Sequence, residues 1–160
     1  MSAAWSAIGS GGVVRRWAEP VVAAVRSSLR QGLTPEGIAL SLAVGAAVGL
    51  FPLIGTTTLL GLALGSALRL NLPLLQAANW LVYPLQLALV LPLVRLGAWL
   101  AGASLVTLAP GGSGDTLAHL TRGGLHGILG WVGAAPLAAL VVYALTLPLL
   151  RAAAGREASE

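Results

Sequence analysis

The sequence lacks cysteine and lysine and has few charged residues of either sign. Without cysteine, disulfide bonds, thiolate metal sites and cysteine nucleophiles are excluded. Charged residues make up 9% of the 160 residues and hydrophobic residues 57%. Because soluble domains carry about 25% charged residues, this composition predicts one all-α domain integrated in a membrane.

The basic excess also bears on the partners of the protein. All nine basic residues are arginines, set against five acidic residues, and the isoelectric point is near 11.2. In a membrane chain, scattered arginines are explained by topology and by contact with lipid headgroups. We therefore expect membrane lipids, and no nucleic acid, among the partners.

The longest uncharged stretch covers residues 37–68. A continuous helix of that length would reach about 50 Å, well beyond a hydrocarbon core of about 30 Å. Pro52 lies near its middle and removes a backbone donor, and Gly49 and Gly55 allow the chain to turn on either side. The stretch therefore predicts two half-helices that form either a re-entrant hairpin or a tight transmembrane pair.

A second long apolar run covers residues 72–109 and contains one charge, Arg95. In one interpretation a full span ends before Arg95 and a half-span follows it. In the other, which we favour, the run breaks at Pro84 and the next helix carries Arg95 near mid-membrane. The second interpretation gives two similar interrupted segments, because an aromatic residue precedes and a leucine follows both Pro52 and Pro84. Paired interrupted segments are typical of binding sites at the membrane midplane.

Shorter segments flank this core, which covers residues 35–109. An apolar face and an arginine-rich face alternate at helical spacing near the amino end, which indicates an amphipathic helix in the membrane interface. The excess of arginine before the first apolar segment predicts a multi-pass protein of the bacterial inner membrane with both termini in the cytoplasm. The predicted flanking segments are a flexible tail (1–13), the interfacial amphipathic helix (14–31), an outer loop (110–127), a transmembrane helix (128–150) and a cytoplasmic tail (151–160).

Polar side chains within the apolar segments are the candidate functional residues, because a polar group in hydrocarbon is costly unless it is paired. Threonine hydroxyls after Pro52 either meet a ligand or bond to carbonyls of their own helix, and Arg95 lies at a boundary if the first interpretation of its segment holds. The predicted substrate-binding residues are Thr56, Thr57, Thr58, Asn79, Gln86 and Arg95. The residues predicted to contact lipid headgroups at the interface are Arg15, Arg16, Trp17, Arg26, Arg30, Arg69 and Asn71.

Catalytic and metal sites are not predicted. His119 and His126 are seven residues apart, but a third ligand is missing and Gly123-Gly124 is expected to interrupt their helix. Ser113, Asp115 and His119 have the side chains of a hydrolytic triad without the surrounding motif. We therefore expect no enzyme, no cofactor and no metal.

Several motifs in order resemble a bacterial membrane family catalogued as domain of unknown function 2062. They lie between Pro35 and Gly97: G-x-F-P-x-x-G at 49–55, L-R-L-N at 68–71, W-x-x-x-P-L at 80–85 and R-L-G at 95–97. The chain differs from the family pattern at Thr57 and Tyr83. The resemblance implies no established activity, although some members of the family are joined to glycosyltransferase domains. Paired re-entrant hairpins also resemble the DedA-type lipid-handling membrane proteins.

Two functions follow as hypotheses. In the first, the protein translocates a lipid or a small polar or anionic solute, as a homo-oligomer, since so few short elements cannot enclose a hydrophilic path alone. In the second, it is a non-transporting anchor or accessory subunit for a membrane enzyme such as a glycosyltransferase. The first requires Arg95 and the threonines at 56–58 to be shielded from lipid, and the second does not.

Overall fold

The computed structural model describes residues 10–53, 55–103 and 116–157, and within these ranges the chain is all-α. The predicted all-α class is confirmed for this part of the chain, which contains no strand. The helices are α1 (Ser10–Arg30), α2 (Pro35–Gly49), α3 (Thr57–Ala67), α4 (Leu72–Leu81), α5 (Tyr83–Leu100) and α6 (Thr116–Glu157).

Helices α2 and α4 begin with the same local chemistry. The Thr34 hydroxyl accepts a hydrogen bond from the Gly37 amide, and the Asn71 side chain accepts one from the Leu74 amide. A proline lies in the first turn after each cap, where its missing N–H costs nothing. Asn71, predicted to contact lipid headgroups, is therefore held in place as a helix cap.

Both predicted interruptions lie at breaks between helices, and they differ in width. The first covers residues 50–56 around Pro52, and Gly55 takes a φ of 91° that favours glycine. We call this segment the break. The second is Val82 alone, between α4 and α5, with Pro84 in the first turn of α5. Helix α5 ends at Leu100, short of the expected end at residue 109.

Helices α2 and α4 run parallel with a constant register. The Ser41 hydroxyl accepts a hydrogen bond from the Asn71 amide at 3.1 Å. One turn further along, a Cβ on Gly45 would overlap the Leu75 carbonyl, and after another turn a Cβ on Gly49 would lie 2.9 Å from the Asn79 carbonyl oxygen. The offset is the same at each level, and at Gly45 and Gly49 the two backbones are in direct contact.

Helix α3 returns antiparallel beside this pair. A Cβ on Gly61 would lie 3.1 Å from the Gln76 side chain, and a Cβ on Gly65 would approach the side chains of Leu72 and Leu75. These two glycines therefore allow α3 to pack closely on the side chains of α4.

The apolar face of α1 packs on the bundle. Its side chains at Val21, Ala24, Val25 and Leu29 contact a buried cluster from α2, α4 and α6, which consists of Ile38, Ala39, Leu42, Leu74, Ala78 and Leu150. Protein thus covers the face that the sequence analysis assigned to the membrane interface, while Arg26 and Arg30 are exposed on the other side. The side chains of Arg15 and Trp17 lie outside the described residues.

Helix α6 corrects two predictions about the carboxyl half. It is continuous from Thr116, so the predicted outer loop at 110–127 is helical over its last residues and Gly123-Gly124 does not interrupt it. Glycine costs only about 1 kcal/mol per residue in a helix, too little to stop a long apolar one. The predicted span at 128–150 is therefore the middle of a longer helix. Ser113 and Asp115, and the side chain of His119, lie outside the described residues.

Within the described part of the chain, two helices are long and apolar enough to cross a membrane, namely α5 and residues Gly123–Gly155 of α6. Glycines allow them to cross closely: a Cβ on Gly97 would overlap the His126 carbonyl, and one on Gly130 would overlap the Leu93 carbonyl.

An ion pair joins the start of α2 to the end of α6. The Nε and Nη2 atoms of Arg151 donate to Oε1 of Glu36 at 3.1 and 2.9 Å. The pKa of the Glu36 carboxyl is lowered, first by a hydrogen bond with its own backbone amide and then by Arg151. The end of α3 and the start of α4 lie at this same end of the bundle, because Asn71 contacts Ser41.

This ion pair should give the stability of the protein an acid-sensitive component. Since the folded-state pKa of Glu36 lies below its ordinary value of 4.5, the stabilisation is present above that value and is lost as pH falls through the folded pKa. We expect Glu36→Gln to lower the melting temperature slightly at pH 7 and to have no effect well below pH 4. Thermal unfolding in detergent at both pH values measures this. A difference that persists in acid would contradict the assignment.

The contact between α2 and α4 predicts a strong effect of one added methyl group. Gly45→Ala should lower the free energy of unfolding by about 1–3 kcal/mol or more, because the new Cβ meets main-chain atoms of Leu75 that cannot rotate away. Gly123→Ala is the matched control, since its Cβ would meet nothing within 4 Å and alanine favours a helix. Denaturation in detergent should separate the two variants. Equal stability would show that the backbones do not touch.

Candidate functional site

The break is surrounded by side chains that donate hydrogen bonds to its carbonyl groups. Pro52 has no amide hydrogen and the chain leaves the helix at Leu50, so carbonyls near the end of α2 lose their ordinary partners. The Gln86 side chain, which is 1% exposed, donates from Nε2 to the carbonyl oxygen of Phe51. A buried amide on α5 therefore satisfies the break directly.

Trp131 of α6 also contacts the residues around the break. Its indole Nε1 donates to the Ala47 carbonyl oxygen at 2.8 Å, and its ring meets the Phe51 ring edge to face with centroids 4.9 Å apart. Nearby, a Cβ on Gly127 would lie 3.2 Å from Pro52. The indole thus combines a hydrogen bond with an aromatic contact on the same turn.

A second set of amides connects α4 to the start of α3. The Asn79 Nδ2 donates to Gln76 Oε1, and Gln76 Nε2 donates to the Thr58 carbonyl oxygen, both at 3.1 Å. Asn79 is buried beside Gly49. The side chain of Gln76 therefore links a buried amide to the helix that follows the break.

The three threonines have different environments. Thr56 is exposed, and its hydroxyl donates to the Leu53 carbonyl oxygen at 2.9 Å. Thr57 begins α3 and is 9% exposed, and its hydroxyl has no hydrogen bond to a described residue. Thr58 is exposed. The side chain of Thr56 does not cap α3, so the first amides of this helix receive no side-chain acceptor from their cap residue.

Arg95 lies away from this group. It is exposed on α5, and it forms no ion pair or hydrogen bond with a described residue. Arg95 therefore takes no part in the hydrogen bonds at the break. Its neighbour Val94 faces Gly127 instead, because the crossing of α5 and α6 uses that face of α5. Thr56, Thr57, Thr58, Asn79 and Gln86 are brought together at the break, and Arg95 is not.

Arg69 has a structural explanation of its own. It lies one residue beyond the cap of α3 with a φ of 54°, its amide donates to Ser66, and the Leu70 amide donates to Gly65. This is a Schellman ending, which usually takes glycine. The exposed guanidinium lies near the carboxyl end of α3, where a positive charge is favourable.

Sequence reasoning missed Gln76 and Trp131. Gln76 could have been identified from the sequence, since it is a polar residue one helical turn before Asn79 in an apolar segment. Trp131 could not, because its hydrogen bond to Ala47 joins residues 84 positions apart.

The site contains uncharged donors and no metal centre. The described residues hold no cluster of three or more metal-ligating side chains. His126 lies within α6, and its Nδ1 is buried without a described partner. Chemically, the arrangement satisfies the carbonyls of the break and leaves donor groups at the start of α3.

We expect Trp131→Phe to destabilise the protein by about 1–2 kcal/mol. The phenyl ring can keep the contact with Phe51, but the Ala47 carbonyl loses its shorter hydrogen bond and keeps only the 3.3 Å bond from the Leu50 amide. Trp99→Phe is the matched control, because Trp99 is 74% exposed on α5 and forms no hydrogen bond with a described residue. Thermal unfolding in detergent tests the pair, and an equal shift in both variants would contradict a role for the indole N–H.

Comparison with known proteins places the chain in a family. The family model of domain of unknown function 2062, described as an uncharacterised protein conserved in bacteria, matches residues 19–159. No curated protein and no solved structure matches the chain significantly. The match extends well beyond the motifs between Pro35 and Gly97 and reaches into α1 and α6. The chain belongs to the bacterial family of domain of unknown function 2062.

Proposed function

We propose that this is an integral protein of the bacterial inner membrane that binds and moves a lipid or a small polar or anionic solute at the break. The exposure of its apolar helices supports a membrane location. Only 22% of the most apolar stretch of α5 and 11% of that of α6 are buried within the protein. Helices of a soluble core would be mostly covered, so we infer that lipid covers these surfaces.

The lengths of α2 and α3 favour a re-entrant hairpin. With 15 and 11 residues they extend about 22 and 16 Å, short of a hydrocarbon core of about 30 Å. The start of α2 and the end of α3 lie at one end of the bundle, together with Arg69 and the Glu36–Arg151 pair. By the positive-inside rule we assign this end, and with it the carboxyl terminus, to the cytoplasm. The start of α1 lies towards the opposite end, because Arg16 lies beside the carboxyl end of α4.

One observation supports an anionic or hydrogen-bond-accepting solute at the break. Three carbonyls of this region, on Ala47, Phe51 and Thr58, accept bonds from buried or half-buried side chains of the protein itself. The amino end of α3, by contrast, receives no side-chain cap from Thr56, and the Thr57 hydroxyl has no hydrogen bond to a described residue. These carbonyl acceptors are therefore bonded within the protein, whereas the donors at the amino end of α3 are not. A helix amino end also carries a partial positive charge. Such a site selects a ligand that accepts hydrogen bonds.

The size of the protein supports a homo-oligomer in this proposal. A short hairpin and two longer helices cannot enclose a water-filled path alone, whereas several copies can. The exposed leucines on α3, Leu59 and Leu62, lie on a surface that a second copy can cover.

A second candidate function is a membrane anchor or accessory subunit for a partner enzyme. The exposure of Arg95 and the internal bonding of Gln76, Asn79 and Gln86 favour it, because neither requires a ligand. In this case Arg95→Leu is tolerated and the break serves only the fold.

Cysteine labelling tests the topology first, since the chain has no native cysteine. Single cysteines at Leu53, Arg69 and Arg95 are labelled from each side of sealed vesicles. We expect Arg69→Cys to react only from the cytoplasmic side and Leu53→Cys to react from the aqueous phase. If Leu53→Cys reacts from neither side, the break has no access to water and the anchor function takes precedence.

Transport is tested with the purified protein in proteoliposomes that contain either a fluorescent phospholipid or a small anion. We expect Thr57→Val to slow the transported species about fivefold, the effect of losing one hydrogen bond of about 1 kcal/mol. Thr146→Val is the matched control, because the Thr146 hydroxyl bonds to the Val142 carbonyl within its own helix. Rates equal to those of empty liposomes would contradict translocation.

A further inference from the structure

A groove separates α1 from the carboxyl end of α4. Its volume is about 270 Å³, and it is lined by Arg16, Pro20, Trp80 and Leu81. The Arg16 guanidinium is exposed and forms no ion pair or hydrogen bond with a described residue. We call this feature the α1–α4 groove. It combines one free positive charge with apolar walls.

The walls of the groove are formed by exposed apolar side chains. Trp80 is 68% exposed and Leu81 is 37% exposed, although both are large apolar side chains. An indole is favourable at the boundary between hydrocarbon and headgroups, and a guanidinium binds phosphate with two parallel hydrogen bonds. A guanidinium beside exposed apolar side chains therefore suits a molecule with a phosphate at one end and a hydrocarbon chain at the other.

We propose that the α1–α4 groove binds one membrane phospholipid, with its phosphate at Arg16 and an acyl chain along Trp80 and Leu81. The inference rests on the membrane location proposed above but not on the ligand of the break. The groove is also separate from the amides and threonines at the break, because none of those residues lines it.

The surroundings of the groove favour a lipid over a free phosphate or an acidic peptide. Three of its four lining residues, Pro20, Trp80 and Leu81, are apolar and exposed. A free phosphate would leave this apolar surface uncovered, and an acidic peptide would place its polar backbone against it. A lipid chain covers it without an unpaired polar group.

Native mass spectrometry of the purified protein in detergent, titrated with phosphatidylglycerol, tests the proposal. Arg16→Gln should weaken the first phospholipid about tenfold, as expected for the loss of a charge-assisted contact. Arg26→Gln is the matched control: Arg26 is exposed on the same helix and does not line the groove, so its variant should bind within about twofold of the wild type. Circular dichroism and melting temperature report whether each variant folds.

Two further measurements separate the sources of the phosphate. Trp80→Ala should weaken phosphatidylglycerol and leave the binding of inorganic phosphate unchanged, while Arg16→Lys should restore part of the lipid affinity. Equal losses in Arg16→Gln and Arg26→Gln would show only a diffuse charge effect and would overturn the proposal. So would displacement of the lipid by millimolar inorganic phosphate. Cysteine labelling of the same variants reports separately on the proposed membrane topology.

Discussion

The structure depends on a requirement of the peptide backbone: a helix that ends inside an apolar bundle must have its carbonyl groups bonded. Helix α2 ends just before Pro52, in apolar surroundings. There, each carbonyl group left without a hydrogen-bond donor would lower the free energy of unfolding by about 1–3 kcal/mol. The Phe51 carbonyl accepts from a side chain of α5, and the Ala47 carbonyl accepts from a side chain of α6 as well as, at 3.3 Å, from the Leu50 amide. Closing the break therefore assembles the bundle, and the same few bonds specify how α2, α5 and α6 meet.

Much of the fold could be read from the sequence because it depends on local chemistry. Pro52 and Pro84 interrupt helices whatever surrounds them, and Thr34 caps the helix that follows it. The unbroken α6 was not foreseen, since a Gly-Gly pair is a weak breaker in a strongly apolar helix. Rules based on single residues therefore predicted the helix breaks at the prolines. They failed at Gly123-Gly124, where the small cost of two glycines is set against the stability of a long apolar helix.

The candidate site was only partly predictable. The burial of Asn79 and Gln86 follows from their apolar surroundings in sequence. The exposure of Arg95 does not, because it depends on which face of α5 crosses α6, and that face is chosen by Gly97 and Gly130. Contacts between residues far apart in the chain, such as Trp131 with Ala47, leave no periodic signal. The burial and the partners of polar residues in an apolar chain thus depend on helix packing, which cannot be read from composition.

The contact of backbones between α2 and α4 has a mechanical consequence. With Gly45 and Gly49 pressed against main-chain atoms, neither helix can slide or rotate without a clash of atoms that have no alternative rotamers. Helix α3 is held differently, by flexible leucine side chains and by Gln76. The contacts of α3 can therefore rearrange through side-chain rotamers, whereas the parallel pair of α2 and α4 has no such freedom.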